Sequence, residues 1–493
     1  MMLHHGLLQD QPPPSIEVLI SWLRERGVQL SDGVAITPMH DGTGWRLVAT
    51  RDLAPVESIV KIPKTALLST RTSSLPPLPS TTESVATTSH TILGLALALL
   101  HELRLGPDSM FWGYTQSLPR ATVPVPPLWP LHAGPSAAAA SAWLQGTEAE
   151  RDLRRRQLEG IGLDSMRQFY AATAAHLPPT SLHPEPSSFE AFAHAYSLVS
   201  TRAFLIDLYH LVALCPFADI LNHSAANHTS LAVDDFVCHR CGSLPVCEHG
   251  GSNPERLAHL GERERARLSD PDTVDMYVEM PAAAGEEVMN TYGDNLTESR
   301  LLVEWGFVPS EDDAADALAA EAATWEVEEL LSPEVPGVTE VEVVAAAEAA
   351  TRNLSQSDDA LLCAPSRGVY HLNQAGQVSL RLFAALYARH APLRFLPGDV
   401  SCLEEAWEQV QDGAEHVPLP THVAAVAEYL CGLVRARLRG MHRPEMEVGE
   451  MFDLRDTLEG LEYMALTVAI NERALLRSVV GRWEALLAAG IQA

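Results

Sequence analysis

Hydrophobic and polar positions change rhythm several times along the chain. Residues 15–27 (SIEVLISWLRERG) place Ile16, Leu19, Ile20 and Leu23 on one stripe, with Ser15 as N-cap and Gly27 as stop, so they predict a short amphipathic helix. Residues 33–69 alternate between apolar and polar and are cut by turn residues, which predicts strand, turn, strand, turn, strand. Residues 91–119 open with a strongly apolar helix and run into an aromatic patch with Trp112 and Tyr114, read as core packing; helices follow over 138–177 and 188–211. In residues 216–224 (PFADILNHS) an apolar run ends abruptly in Asp219, Asn222 and His223, which are costly to bury without partners. Residues 285–295 (GEEVMNTYGDN) read as a tight turn entering an edge strand that delivers Tyr292 beside Gly293. A charged helix over 253–268 and a strand over 274–280 complete the middle of the chain. From residue 311 onward Ala, Leu and Glu recur at helical spacing and strand signals are scarce. Residues 1–14 are polar and proline-rich and predict a loose tail, and residues 71–90, rich in Ser, Thr and Pro, predict a loop.

Length and charge narrow the classes. At 493 residues the chain has room for two or three domains and a sizeable core. No apolar run approaches the roughly 18 residues that a membrane span needs. The start lacks a positive segment followed by an apolar one, so a secretory signal is not expected and the default location is cytoplasmic or nuclear. A net charge of −30 opposes nonspecific nucleic-acid binding and suits a basic protein partner, although an acidic surface also serves solubility. Lys61 and Lys64 are the only lysines, for which gene base composition is a sufficient cause.

Of the seven cysteines, Cys215, Cys363, Cys402 and Cys431 follow no pattern and read as reduced, partly buried thiols. The others form a C-x2-C-x5-C-x-H array, Cys238, Cys241, Cys247 and His249, in a knuckle-like loop spanning 233–251. Three thiolates and an imidazole can close a tetrahedron around zinc, and a site filled by four protein ligands is structural rather than catalytic. His239 is a rival ligand, and a loop with free thiols is the alternative.

Taken in order, residues 196–204 (YSLVSTRAF), 216–224, 285–295 and 301–307 (LLVEWGF) resemble the SET domain of S-adenosylmethionine-dependent protein methyltransferases. The resemblance is to the branch that includes the Rubisco large-subunit, ribosomal-protein and cytochrome c lysine methyltransferases and the actin histidine methyltransferase. It implies an α+β fold: after a disordered tail (1–14), a mainly-β SET domain over 15–310 with a helical insertion at about 91–211, then an all-α domain over 311–493 resembling the branch's substrate-binding domain. Motifs carry the resemblance over 15–310; beyond that it rests on position and helicity.

The same resemblance implies site residues. S-adenosylmethionine would be held by Gly42, Gly44 and Trp45 of a turn near the cofactor, by Arg202, whose planar fork matches a carboxylate, and by Asp219, Asn222, His223 and Tyr292. Tyr292 would be the catalytic residue, with Phe204, Trp305 and Phe307 lining the substrate channel. The chain departs from the branch at Arg46, where glycine is usual, and at Trp305, where tyrosine is. The implied activity is protein-lysine N-methylation of a non-histone protein, for which a basic target such as a ribosomal protein or cytochrome c suits the charge. Histidine methylation through a channel reshaped by Trp305, and an inactive scaffold suggested by Arg46, are the alternatives.

Overall fold

Val274, Met276 and Val278 alternate with Thr273, Asp275 and Tyr277, and this period of two turns the first three into the core of the main sheet. The computed structural model describes residues 16–39, 44–77, 88–132, 134–235, 237–244, 247–249, 272–293, 296–309, 322–330, 339, 341, 343–345, 370–373, 377–390, 403, 406–408, 410 and 421–491. The tail 1–14, Ser15, Gly42, Cys363, Cys402 and the expected helix at 253–268 lie outside the described residues. The chain divides into two compact units: Met1–His132, Leu153–Asp294 and Glu304–Gly306 in the first, and Ala133–Asp152, Asn295–Val303 and Phe307–Ala493 in the second.

The strands of the first unit are β1 (Gln29–Leu30), β2 (Val34–Pro38), β3 (Trp45–Ala49), β4 (Ser58–Pro63), β5 (Leu68–Ser69), β6 (Ala203–Leu205), β7 (Val212–Leu214), β8 (Thr229–Val233) and β9 (Thr273–Val278). They form an antiparallel sheet in the order β1-β4-β9-β8, a β2-β3 hairpin and a β5-β7-β6 sheet. Of the helices α1 (Ile16–Glu25), α2 (Thr88–Leu105), α3 (Trp112–Thr115), α4 (Pro135–Trp143), α5 (Glu148–Leu158), α6 (Leu163–Thr173) and α7 (Phe189–Arg202), the apolar α2 packs on α7 in the core of this unit. Ser188 caps α7 by accepting the Ala191 N–H.

Three expectations are corrected. The helix expected over 188–211 ends at Arg202, and residues 203–214 form the β6–β7 hairpin instead. The Asp207 carboxylate accepts the Tyr209 and His210 N–H groups at 2.9 and 2.7 Å, and this local turn replaces helical bonding. The stretch 138–177 is broken into pieces, with α5 ending at Leu158 and the chain turning at Gly160 in the left-handed region (φ 78). Residues 285–293 make isolated bridges rather than an edge strand: Glu287 pairs with Val48, and Asn290 with His223 and Thr229.

The second unit is mainly helical, built from α4 and helices Leu380–His390, Thr421–Gly440, Val448–Arg455 and Gly460–Ile491. It also holds a two-stranded antiparallel sheet, β10 (Ala322–Trp325) with β11 (Tyr370–Asn373), for which the helical pattern gave little warning.

Candidate active site

Phe217 sets up the site. It is buried, its backbone sits at φ 84 and ψ −51, and such a conformation in a non-glycine residue costs on the order of 1–3 kcal/mol. The kink starts a short 3-10 turn, Ala218–Ile220, that carries Asp219. Asp219 is buried, and its Oδ2 accepts the Tyr114 hydroxyl at 2.8 Å. Arg202, at the end of α7, donates through Nη1 to the Asp219 carbonyl at 2.7 Å and approaches Oδ2 at 3.4 Å. Burial raises the Asp219 carboxyl against the pull of Arg202 and Tyr114.

Leu221, Asn222 and His223 meet the segment that carries Tyr292. The Tyr292 hydroxyl donates to the Leu221 carbonyl at 3.1 Å, and the Tyr292 N–H donates to His223 Nδ1 at 3.1 Å. The two rings stack with centroids 5.2 Å apart, and Trp305 lies 5.4 Å from the Tyr292 ring, also stacked. Burial pushes the Tyr292 phenol up to about 12, with Arg202 opposing and Asp219 and Glu287 adding to the rise. It pushes His223 down to about 4, so the imidazole is neutral at pH 7 with its Nδ1 lone pair on the Tyr292 amide. A cavity of about 140 Å³ opens here, lined by Thr201, Arg202, Ala203, Phe204, Leu205, Asp219, Thr291, Tyr292 and Trp305.

The structure thus brings Arg202, Phe204, Asp219, Tyr292 and Trp305 to one cavity, with His223 stacked on Tyr292. The Asn222 side-chain amide donates to Glu287 Oε1 at 2.7 Å, and the Asn222 backbone carbonyl accepts the Asn290 N–H at 2.8 Å. Gly44 lies outside the left-handed region and closes the β2–β3 hairpin by accepting the Met39 N–H at 2.9 Å; Trp45 packs against the core at the start of β3. Phe307 belongs to the second unit. Cys238, Cys241, Cys247 and His249 converge, with their ligand atoms within 4.8 Å of one another.

Several participants were not singled out for the site by the sequence. Glu287 binds Asn222 on one oxygen and pairs with Arg46 at 3.5 Å on the other, which gives the departure at Arg46 a partner. Tyr114 is buried as core packing demands, yet its hydroxyl fixes Asp219. Asn290 is 1% exposed, and neither side-chain polar atom has a partner among the described residues. A GEEV-to-tyrosine segment rich in polar residues was the available signal for Glu287 and Asn290; nothing local marks Phe217 as strained.

S-adenosylmethionine fits this donor set. The two bonds from Arg202 to Asp219 both use Nη1, leaving the rest of a carboxylate-matching fork at the cavity. The orphaned Asn290 amide beside His223 marks polar capacity that burial alone leaves unsatisfied, at a cost of about 1–3 kcal/mol.

No protein-family model matches the chain. It is 24% identical over 327 residues to N-lysine methyltransferase SETD6 of Bos taurus, a match covering 64% of this chain and 62% of that protein. Ribosomal lysine N-methyltransferase 3 of Saccharomyces cerevisiae is 24% identical over 211 residues, covering 34% of this chain and 37% of the yeast protein. Among solved structures, the SET domain of LSMT bound to lysine and AdoHcy superposes with a TM-score of 0.60 at 18% identity, covering 97% of this chain and 93% of that one. Rubisco LSMT bound to AdoMet gives 0.59 at 17% identity, covering 98% and 94%. Fold, motif order and sequence similarity agree: the chain has the SET-domain fold of these structures, is similar in sequence to these lysine methyltransferases, and its match spans about 62% of the length of the bovine relative.

Proposed function

We infer that the protein is an S-adenosylmethionine-dependent protein-lysine N-methyltransferase acting on a non-histone protein. The observation that carries this reading is the pairing of a neutral, half-buried Tyr292, held by Leu221 and His223, with a cavity walled by Trp305 and Arg202. The cofactor supplies a methyl group on a sulfonium, and transfer to an amine is an in-line displacement that needs alignment and desolvation more than acid–base chemistry. Arg202, steadied by Asp219, would hold the cofactor carboxylate; the Asn222–His223 turn and Asn290 would border the rest of it. Tyr292 and Trp305 offer aromatic faces to an amine and its methylene stem. A low-dielectric cavity containing the Arg202 cation disfavours a second charge, so an entering lysine is pushed toward the neutral, nucleophilic amine.

The first unit takes the role of the SET domain in this reading, and the mainly helical second unit that of a substrate-binding domain. A basic substrate, a ribosomal protein among the candidates, suits the net charge of −30 and the similarity to the yeast ribosomal lysine N-methyltransferase. A cytoplasmic or nuclear location goes with it, supported by the free thiols Cys215, Cys238, Cys241, Cys247 and Cys431. No helix among the described residues is long and apolar enough to cross a membrane.

The test is incubation with labelled cofactor and a lysate, followed by mass spectrometry of the labelled protein. Methyl-lysine is the expected product, and methyl-histidine would move the assignment to the alternative chemistry. Tyr292→Phe should lower kcat by about 100-fold, the scale of removing one aligned hydroxyl donor, while calorimetry shows S-adenosylmethionine still bound. Absence of cofactor binding at millimolar concentration in the wild type would leave only the scaffold reading.

A further inference from the structure

We propose that Cys238, Cys241, Cys247 and His249 hold one zinc ion whose role is to fix the β6–β7 turn, and with it the wall of the active-site cavity that β6 provides. The ligand atoms lie within 4.8 Å of one another. A tetrahedron with bonds of about 2.3 Å sets sulfurs roughly 3.8 Å apart, so closure needs movements of about 1 Å or less. The backbone is already shaped for it. Cys238 is buried, its N–H donates to the Ser243 carbonyl at 3.0 Å, and the Gly242 N–H donates to the Cys238 carbonyl at 2.7 Å. Gly242 supplies the left-handed residue that this turn requires (φ 71).

Gly242 also shows what the knuckle leans on. A Cβ at this position would lie 2.8 Å from the Tyr209 ring, so the aromatic sits directly against the glycine. Tyr209 belongs to the turn between β6 and β7, where Leu211 is forced to φ 58 and Ile206 N–H donates to Leu211 at 2.8 Å. The same turn is fastened to both feet of the cysteine-bearing excursion. Leu208 N–H donates to the Asp235 carbonyl at 3.2 Å. Buried Lys64 pairs with Asp207 and Asp272 at 2.8 Å each and donates to the Asp234 carbonyl at 2.8 Å. On the other side of the turn, β6 contributes Ala203, Phe204 and Leu205 to the cavity beside Tyr292 and Trp305. A metal that locks the knuckle therefore restrains the turn through Tyr209 and Leu208, and the turn restrains the cavity wall.

The full-length protein, purified by gel filtration, should carry one zinc per chain by elemental analysis and a matching mass increment in native mass spectrometry. Stripping the metal with a chelator should speed amide exchange in residues 203–214 at least tenfold, and zinc alone should restore protection. Tyr209→Ala keeps all four ligands and Gly242 but removes the ring the knuckle rests on; it should retain zinc, while its exchange over 203–214 should no longer respond to the metal. Protein without zinc, or with a disulfide in its place, would overturn the proposal. So would exchange that changes only within 237–249. Cofactor binding is read separately by calorimetry, so loss of the methyltransferase reading and loss of the metal reading are distinct results.

Discussion

His223 and Tyr292 show how single side chains in this site are tuned by burial. The imidazole accepts the Tyr292 N–H and stacks on its ring, so the neutral form is built into the fold, and burial lowers its pKa to about 4. An unfolded histidine binds a proton near pH 6.5. Between about pH 4 and 6.5 the unfolded state therefore holds a proton that the folded state lacks, and stability falls as pH drops through that window. The contribution is fully present above about pH 6.5. His223→Gln should remove it: in urea unfolding the wild type should exceed the variant most above pH 6.5, and the gap should narrow steadily toward pH 4. An unchanging gap would show that His223 does not stay neutral in the folded protein. Asp219, Asn222 and His223 were legible in the sequence as polar groups that end an apolar run, and Tyr292 as the residue delivered beside Gly293 after a tight turn. Their partners were not, because Tyr114, Leu221 and Glu287 reach them across 105, 71 and 65 residues of chain.

Among the elements, periodicity located α1, α2, α7, β4 and β9, where one face or the whole surface is buried and the pattern is strong. It failed at residues 203–211, whose apolar character fits a helix as well as a strand. Pairing with β7 and the Asp207 turn decided the outcome. Packing of α1 on α3 makes a further prediction. A Cβ on Gly113 would lie 2.3 Å from Trp22 Cβ and 2.5 Å from Cγ, and the Trp22 indole is pinned by donating to the Met110 carbonyl at 2.9 Å. Gly113→Ala should therefore destabilise by about 1–3 kcal/mol, the usual cost of overpacking, seen as a lower Tm. A variant as stable as wild type would mean that α1 can shift freely against α3.

For the molecule as a whole, the second unit has its own core and its own buried ionic centre. Arg437 is buried and lies between Glu148 at 2.6 Å and Glu472; it also donates to the Thr324 carbonyl at 2.6 Å. Burial, against the pull of Arg437, pushes Glu472 up to about 7; burial by itself would lower Arg437, but Glu472 and Glu148 together outweigh it and raise the guanidinium above its ordinary value. Such a centre is stabilising only while complete. Arg437→Met should cost about 3–5 kcal/mol in denaturant unfolding, because it strands two acidic groups in the core. A neutral result would show that water reaches them. Sequence position gave no hint of this centre, since Glu148 lies 289 residues before Arg437.

The sequence by itself pointed to the SET-type fold, to three of the polar residues that line the cavity (Arg202, Asp219 and Tyr292) and to the set of four metal-type ligands, because each depends on residue identity at short spacing. Only the tertiary structure decided that Glu287 answers Arg46, that Phe217 is strained to aim Asp219, that residues 203–214 form a hairpin, and that the cysteine knuckle rests on Tyr209. Those facts depend on contacts between distant segments. A local pattern constrains which groups must find partners in the interior, and packing determines which partners they find.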